Sequence, residues 1–477
     1  MTKLKGLQPE KVFKYFEEIS SIPRGSGNME LIAEYCMDFA RKFSLKAVRD
    51  GANNVIIYKP ATKGYENSQP VILQGHLDMV CQKEQGREMD FEKDGLDIYV
   101  DGDYIKARGT TLGADNGIAV AMIMAILSSD DIAHPPIEAL FTTDEEIGMI
   151  GASQIDGALF KGKKLINLDS EEQDKLTVSC AGGSEFEMSL PVSYTKTSGG
   201  KITILVSGLK GGHSGVEIDK GRINASILMG RMLSGISDFE IISITGGDKS
   251  NAITNACRAE LVCPDPEKTV AMLDEHAQLI IKEIAEIEPD VDISVALYEK
   301  GEFDVIDGGA KEKLIFALLF LPNGVQSMSA NIEGLVETSL NLGILKTEED
   351  KITMVSALRS NKQTALLWLE EKLKSFAKML EFEVKTYGHY PPWEFNENSS
   401  LQQLYKECFK GKFGYEPTVE AIHAGLECGT LSAKIKDLDA ISIGPELSDV
   451  HTTKEKLKIS SVKEMYELLT DLLEKMK

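Results

Sequence analysis

Short strand-like runs recur in the first 170 residues, and each leads into a cluster of polar side chains. The runs are 71–73, 137–143 and 165–168, and the clusters after them contain His76 and Asp78, then Asp144, Glu145 and Glu146, and then Asp169. Runs of this kind predict buried strands of an α/β fold. Because ligand-binding groups collect at the carboxyl ends of parallel strands, we expect the clusters to meet in one site.

His76 and Asp78 are separated by a single residue just beyond the first of these runs. In extended backbone, side chains two positions apart point in the same direction, so the imidazole and the carboxylate should face one site. A carboxylate beside a metal-binding histidine can hold its ring, tune its basicity or polarise a bound water. Taken alone, the pair is weak evidence, because most His-x-Asp pairs lie in ordinary turns, and it is the later carboxylates that favour the metal site.

A glycine-rich loop, 109–117, precedes an apolar helix predicted over 118–127. Such a loop can hold a phosphate at a helix N-terminus, but this one lacks the lysine of a Walker loop and the GxGxxG spacing. It contains Asp115 instead, which is either a helix cap or a metal-bridging ligand. The consecutive carboxylates 144–146 repel one another, so either solvent or a cation must offset their charge.

The length of 477 residues predicts two or three domains. From about residue 184 the pattern changes to strand-helix-strand units, which predict a second α/β domain inserted into the first. We expect a discontinuous catalytic domain of residues 1–184 and 396–477 and an inserted domain of residues 185–395. The final segment supplies further strands and His451, which would complete the first sheet.

Acidic residues outnumber basic ones by 75 to 52, which gives a net charge of −23. This balance argues against nucleic acid and anionic membranes as partners and suits a pocket for cations. There is no apolar run of about 18 residues and no secretory signal at the N-terminus. The seven cysteines form no CxxC pair, which is typical of reduced thiols, and we expect a cytoplasmic protein.

The clusters and the later histidine predict a set of nitrogen and oxygen ligands for two divalent ions. The set is His76, Asp115, Glu146, Asp169 and His451. Without clustered cysteines it suits zinc, with cobalt or manganese as alternatives. Asp115 would bridge the ions, which can share a water and lower its pKa towards about 7. Glu145 would take the proton of this water and pass it to the leaving amine, and Asp78 would support His76.

Six motifs in the chain resemble those of the co-catalytic zinc exopeptidases, the family of aminoacylase, carnosinase and tripeptidase T, and within it the bacterial aminoacyl-histidine dipeptidase branch. They are Gly75-His76-Leu77-Asp78, Gly113-Ala114-Asp115-Asn116-Gly117, Thr143-Asp144-Glu145-Glu146, Asn167-Leu168-Asp169-Ser170, Gly211-Gly212-His213-Ser214-Gly215 and His423-Ala424-Gly425-Leu426-Glu427-Cys428-Gly429. The resemblance implies a mixed central sheet flanked by helices, with an inserted α/β lid domain. It also implies the same five metal ligands, with Glu145 as the general base and Asp78 as the supporting carboxylate.

The resemblance further implies substrate contacts from His213, Asn251 and Arg359 on the lid and from Gly425 on the catalytic domain. Arg359 can hold a peptide carboxylate through two hydrogen bonds, Asn251 can donate to the same group, and His213 can donate to the oxyanion. No chemistry follows for His423, Glu427 or Cys428.

The function expected is a metal-dependent dipeptidase acting on short peptides, with Xaa-His dipeptides as a candidate substrate class. The alternatives are an N-acyl amino acid deacylase or tripeptidase of the same fold, and, from another class, a non-catalytic metal-binding scaffold. A scaffold would not need Glu145, so its presence favours an enzyme. We also expect a homodimer through the lid, in which the partner chain could supply His213.

Overall fold

The computed structural model describes residues 3–477. Its α-helices are α1 (Glu10–Ser20), α2 (Glu30–Lys42), α3 (Ala114–Leu127), α4 (Ile150–Gln154), α5 (Ala225–Ser234), α6 (Pro266–Ile284), α7 (Gly308–Phe320), α8 (Gln363–Met379), α9 (Ser400–Phe413), α10 (Glu427–Lys434) and α11 (Ile459–Lys475). Its first strands are β1 (Lys46–Arg49), β2 (Val55–Lys59), β3 (Val71–His76), β4 (Ile98–Asp101), β5 (Tyr104–Ala107), β6 (Ile137–Thr142), β7 (Lys164–Asn167), β8 (Lys175–Cys180), β9 (Gly182–Pro191), β10 (Tyr194–Ser207), β11 (Gly212–His213) and β12 (Glu240–Gly246). The remaining strands are β13 (Ala252–Ile253), β14 (Cys257–Cys263), β15 (Asp292–Ile306), β16 (Gly324–Met328), β17 (Val336–Thr347), β18 (Lys351–Ser360), β19 (Glu383–Tyr390), β20 (Thr418–Ile422), β21 (Asp439–Ser442), β22 (Leu447–Ser448) and β23 (Lys456–Lys458).

The chain divides into two compact units. The first contains the residues up to Cys180 together with 395–421 and 426–477, and the second contains 181–394 with 422–425. Residues 181–184, expected in the catalytic domain, group with the second unit because β9 begins at Gly182.

Residues 422–425 also group with the second unit, which corrects the expectation that Gly425 belongs to the catalytic domain. Within this unit, the backbone N–H of Ala181 donates to the carbonyls of Ile422 and Ala424 at 3.1 and 3.0 Å.

The first unit is built on an eight-stranded mixed sheet with the order β1-β2-β6-β3-β7-β21-β8-β20. Strands β6, β3, β7 and β21 are parallel neighbours, and β1, β2 and β8 join antiparallel. Every residue of β3 and of β6 is buried, as their apolar sequences predict. The carboxyl ends of four adjacent strands therefore lie along one edge of this sheet.

Helix α3 is apolar on all sides, and it is buried along almost its whole length. It packs closely on β3 at Gly75. A Cβ atom at this position would lie only 2.5 Å from Oδ1 of Asn116 and 2.9 Å from Cβ of Ala119. Only glycine allows this approach, which brings the start of α3 beside the end of β3.

The second unit contains a nine-stranded sheet in which β15-β10-β14-β12-β17-β18-β9-β19 follow one another and β16 pairs with β17. Apolar residues of helices α5 to α8 share one hydrophobic core with this sheet. Strands β17 and β18 are neighbours in the chain and form an antiparallel hairpin. In the first unit, β4 and β5 form a second antiparallel hairpin. None of the helices in residues 3–477 has the length and apolar character that crossing a membrane requires.

Candidate metal centre

The strands of the first unit determine where the predicted ligands lie. His76 is the last residue of β3, Asp169 follows β7 by two positions, and Glu145 and Glu146 come shortly after β6. His451 lies in the segment between β22 and β23, which follows β21. Since β6, β3, β7 and β21 run in parallel, the chain segments that carry these side chains all leave the same edge of the sheet.

The two ring nitrogens of His76 face different groups. Nδ1 lies 3.2 Å from the carbonyl oxygen and 3.3 Å from Oδ1 of Asp78. Nε2 lies 3.1 Å from Oδ1 of Asp115 and 3.4 Å from Oδ1 of Asp169. An Nδ1–H that donates to Asp78 leaves Nε2 as the ligand atom, and it points at two carboxylates. Asp78 therefore contacts the ring of His76 directly, as a supporting carboxylate would.

Asp115 joins the two histidines. Its Oδ1 faces His76, and its Oδ2 lies 3.0 Å from Nε2 of His451. The same Nε2 lies 3.0 Å from Oε2 of Glu146. Although burial opposes the effect, the hydrogen bonds to His451 and His76 hold the pKa of Asp115 well below its usual range. These contacts give Asp115 one oxygen for each imidazole, as a bridging ligand requires.

Asp78 organises the neighbourhood of Glu145 as well as the ring of His76. Its Oδ1 accepts the backbone N–H of Glu145 at 3.0 Å, and its Oδ2 accepts the N–H of Glu146 at 3.2 Å. The hydroxyl of Ser26 donates to the same Oδ2 at 2.8 Å. One buried carboxylate therefore fixes both the histidine at the end of β3 and the backbone of the segment after β6.

The donor set fits a divalent cation. One ligand atom each from His76, Asp115 and Glu146 lie within 4.8 Å of one another, and Asp169 and His451 are in contact with this group. Two donors on one tetrahedral zinc ion are about 3.3 Å apart, close to the separations found here. Burial, together with the charges of Asp115 and Glu146, raises the pKa of Asp169 to about 6, although His76 acts to lower it. A cation would offset the repulsion that these carboxylates exert on one another.

Glu145 is placed differently from Glu146, which contacts His451. Burial raises the pKa of Glu145 well above its usual value, the nearby charge of His76 lowers it, and the negative charges of Asp169, Glu427 and Glu146 raise it further. The side chain thus lies among the acidic groups of the site but is outside the set that contacts the imidazoles.

Glu427 is a fully buried member of the site whose role could not be predicted from its motif. Its Oε2 accepts hydrogen bonds from Nε2 of Gln74 at 2.6 Å and from the hydroxyl of Thr142 at 2.7 Å. The side-chain oxygen of Gln74 in turn accepts from Asn167 at 2.6 Å. Burial raises the pKa of Glu427 to about 8. The network joins β3, β6 and β7 directly beneath the ligands, and a buried carboxyl can be identified only once the sheet is formed.

Asn116 is a second residue that the sequence analysis did not select. Its Oδ1 accepts the backbone N–H of His76 at 3.2 Å, and its Nδ2 donates to the carbonyl of Leu168 at 2.9 Å. The side chain of Asn116, next to Asp115, therefore connects the backbone at His76 with the backbone at Leu168, next to Asp169. Its place in the motif next to Asp115 was the only signal in the sequence.

In the second unit, β11 and β13 pair His213 with Ala252 and bring His213 next to the segment of Asn251. The N–H of Ser214 donates to the carbonyl of Asn251 at 2.9 Å. Nδ1 of His213 accepts the N–H groups of Gly215 and Val216 at 3.1 and 3.3 Å. Burial and the charge of Arg359 lower the pKa of His213. Because Nδ1 accepts two N–H groups, the ring proton is on Nε2, where it can be donated.

Arg359 lies on β18 and is only 8% exposed. Its NH1 donates to the hydroxyl of Tyr390 at 2.9 Å, its Nε has no hydrogen-bond partner, and it takes part in no ion pair formed by residues 3–477. Close by, Nε2 of His423 lies 2.7 Å from the hydroxyl of Ser339, and Nδ1 lies 3.2 Å from Oδ1 of Asn361. A buried guanidinium without a carboxylate favours binding of an anion.

Comparison with known proteins places the chain among metallopeptidases. Residues 72–475 match the family described as Peptidase family M20/M25/M40. The chain is 36% identical over 480 residues to the cytosol non-specific dipeptidase of Escherichia coli, covering 99% of each protein. It is also 36% identical to the aminoacylhistidine dipeptidase from Vibrio alginolyticus, whose crystal structure superposes with a TM-score of 0.93 over 99% of this chain and 98% of that one. The aminopeptidase PepT from Bacillus cereus shares the fold, with a TM-score of 0.57 at 15% identity and coverage of 98% and 99%.

Proposed function

This chain belongs to peptidase family M20/M25/M40, and we propose that it is a metal-dependent dipeptidase whose substrates include Xaa-His dipeptides. The observation that carries the proposal is the contact of Asp115 with both His76 and His451, in a chain 36% identical to two dipeptidases over nearly its full length. Two divalent ions would occupy the site, with zinc favoured by the nitrogen and oxygen donors. A cytoplasmic location is proposed from the similarity to a cytosol dipeptidase.

His76, Asp115, Glu146, Asp169 and His451 would hold the two ions, which when bound polarise a peptide carbonyl and lower the pKa of water. Glu145 accepts the proton of the attacking water and returns it to the leaving amine. Asp78 keeps Nδ1 of His76 protonated and, through the N–H groups of Glu145 and Glu146, fixes the direction of the base. This support fixes the geometry of the base before substrate arrives.

The second unit supplies the groups that bind the substrate. Arg359 pairs with the C-terminal carboxylate of the peptide, which gives its buried charge a partner. Asn251 donates to the same carboxylate, and the Nε2–H of His213 donates to the developing oxyanion. Gly425 contributes a backbone contact.

A panel of substrates tests the proposed reaction. Purified protein loaded with zinc, cobalt or manganese is assayed with β-alanyl-histidine, other dipeptides, a tripeptide and an N-acetyl amino acid, while bound metal is counted per chain. We expect two ions and the highest kcat/KM for dipeptides. A preference for the acylated compound would identify a deacylase, a preference for the tripeptide would identify a tripeptidase, and metal binding without any turnover would identify a scaffold.

We also propose that the protein is a homodimer through its second unit. The edge strand β15 is 15 residues long and mostly exposed, and it carries Leu297 and Tyr298 with 46% and 50% of their surface accessible. Such an edge favours pairing with the same strand of a second copy. Sedimentation velocity of the wild type and of Leu297→Lys tests this: we expect a dimer that the substitution dissociates. A wild-type monomer at all concentrations would rule the dimer out.

A further inference from the structure

The backbone amides of the glycine-rich loop are occupied by a side chain from the far end of the chain. Glu455 is 3% exposed, and its Oε2 accepts the N–H groups of Leu112 and Gly113 at 2.7 and 3.0 Å. Its Oε1 accepts the N–H groups of Ala114 and Asp115 at 2.8 and 3.3 Å. Four consecutive amides therefore bind one internal carboxylate, which leaves this loop with no role in binding a phosphate.

Arg24 binds backbone carbonyl groups of the same loop and of the segment after β3. The side chain is 1% exposed, and its NH1 donates to the carbonyls of Leu77 and Asp78 at 2.9 and 3.2 Å. Its NH2 donates to the carbonyl of Gly113. Opposite charges on Arg24 and Glu455 attract one another across the loop.

The glycines of this loop make room for the guanidinium. A Cβ at Gly113 would lie 2.5 Å from NH2 of Arg24, and a Cβ at Gly117 would lie 2.6 Å from the same atom. Gly113 also has φ of +63°, a conformation that glycine adopts without strain. The glycine-rich sequence thus accommodates Arg24.

Arg24 and Glu455 contact backbone groups that are close in sequence to the proposed metal ligands. The carbonyls of Leu77 and Asp78 come directly after His76, the amides of 112–115 end at Asp115, and Glu455 lies four positions after His451. Arg24 therefore connects the first two segments, and Glu455 connects the second and third. Both residues make these connections through backbone N–H and carbonyl groups, not through the side-chain atoms that would bind the metal.

We propose that Arg24 and Glu455 form a buried clamp that holds the segments of His76, Asp115 and His451 in their ligand-binding arrangement before metal binds. Both are positioning residues, and the inference rests on the metal centre of the proposed function. A site that is ordered in advance does not have to order its ligands on binding, so its affinity is higher. Substitution of residues that orient ligands typically lowers metal affinity by about 10–100-fold.

The variant Glu455→Gln tests the clamp, because it keeps the shape but directs an NH2 group at amides that require an acceptor. Glu446→Gln is the matched control, since Glu446 lies in the preceding segment, between β21 and β22, and its side chain forms no hydrogen bond within residues 3–477. Zinc affinity of the metal-free proteins is measured by competition with a chromophoric chelator. We expect an affinity loss of about 10–100-fold for Glu455→Gln and none for the control.

Activity measured against zinc concentration separates positioning from a general structural role. We expect kcat of Glu455→Gln to recover at saturating zinc while KM for the dipeptide is unchanged, and Glu455→Asp to recover part of the affinity. A folded Glu455→Gln protein with lower thermal stability and wild-type zinc affinity would overturn the clamp and leave a structural brace. If the wild type itself bound no metal, the proposed function would fail instead.

Hydrogen exchange of the wild-type protein provides a test that needs no variant to fold. The amides of residues 112–115 should be protected in the metal-free protein, and zinc should add little protection. Free exchange of these amides without zinc, followed by protection when zinc is added, would show that metal orders the loop and would overturn the proposal.

Discussion

Asp115 and His451 are 336 positions apart in the chain, yet Oδ2 of the first lies 3.0 Å from Nε2 of the second. The other carboxylate oxygen, Oδ1, lies 3.1 Å from Nε2 of His76. A carboxylate with one imidazole on each oxygen is the arrangement expected of a ligand shared by two ions. The metal content of ligand variants should therefore depend on which residue is removed.

The number of ions per chain tests the bridging role of Asp115. His76→Ala and His451→Ala should each lower the zinc content from two ions to about one, because each imidazole serves one position. Asp115→Ala should lower it towards zero, since its two oxygens serve both positions. Elemental analysis after equilibrium dialysis measures this, with His389→Ala in the second unit as control. Equal losses in all three ligand variants would contradict the bridge.

The base assignment is tested by Glu145→Gln. Loss of the proton acceptor should lower kcat on a dipeptide by about 10²–10⁴-fold, while the zinc content stays at that of the wild type. Steady-state kinetics and elemental analysis on the same sample measure the two properties. Glu88→Gln, at an exposed acidic residue, is the control and should keep full activity. Wild-type turnover in Glu145→Gln would mean that another group takes the proton.

Arg359→Lys tests recognition of the substrate carboxylate. Lysine keeps the charge but loses the paired donors, so KM for a dipeptide should rise about 10–100-fold with a smaller change in kcat. The same substitution should have little effect on a dipeptide with an amidated C-terminus, which has no carboxylate to lose. Arg258→Lys, at an exposed arginine paired with Glu260, is the matched control. Equal effects on both substrates would exclude a carboxylate partner.

His423 should make the stability of the folded protein fall in mild acid. Burial and the charge of Arg359 lower its pKa to about 3, whereas the unfolded chain has a value of about 6.5. Below pH 6.5 the unfolded state binds a proton that the folded state does not, so stability decreases as pH falls from 6.5 towards 3. The loss between pH 7 and pH 5 is about 2 kcal/mol.

Thermal unfolding at both pH values measures this effect. The decrease in melting temperature between pH 7 and pH 5 should be smaller in His423→Asn than in the wild type, and His389→Asn should behave like the wild type. An unchanged decrease in His423→Asn would show that other groups cause the acid sensitivity.

Glu427 should stabilise the first unit through its two hydrogen bonds. Glu427→Ala leaves a cavity and removes the acceptor for Gln74 and Thr142, so we expect a loss of about 3 kcal/mol or more in the free energy of unfolding. Glu427→Gln keeps the volume and an acceptor and should lose much less. Denaturant unfolding measures the free energy of unfolding of the two variants. Equal losses would show that the stabilisation by Glu427 depends neither on its volume nor on its role as a hydrogen-bond acceptor.

The strands that carry the ligands could be predicted from local sequence. The run at 71–73 is confirmed as part of β3, and Asp78, two residues after His76, lies in contact with its ring. The motif resemblance supplied the family, which the comparisons confirm. Local sequence was less successful at boundaries: the second unit was expected to begin at residue 185 and begins at Ala181, because β9 starts at Gly182 and pairs with β18 and β19.

By itself, the sequence determined the donor chemistry of this protein, since the types of side chain that follow each apolar run do not depend on distant residues. Only the tertiary structure decided which oxygen of Asp115 faces which histidine, that Glu427 is buried against Gln74, and that Glu455 fills the glycine-rich loop. The physical reason is that hydrogen bonds and burial depend on distances across the fold, and residues hundreds of positions apart acquire those distances only when the sheet forms.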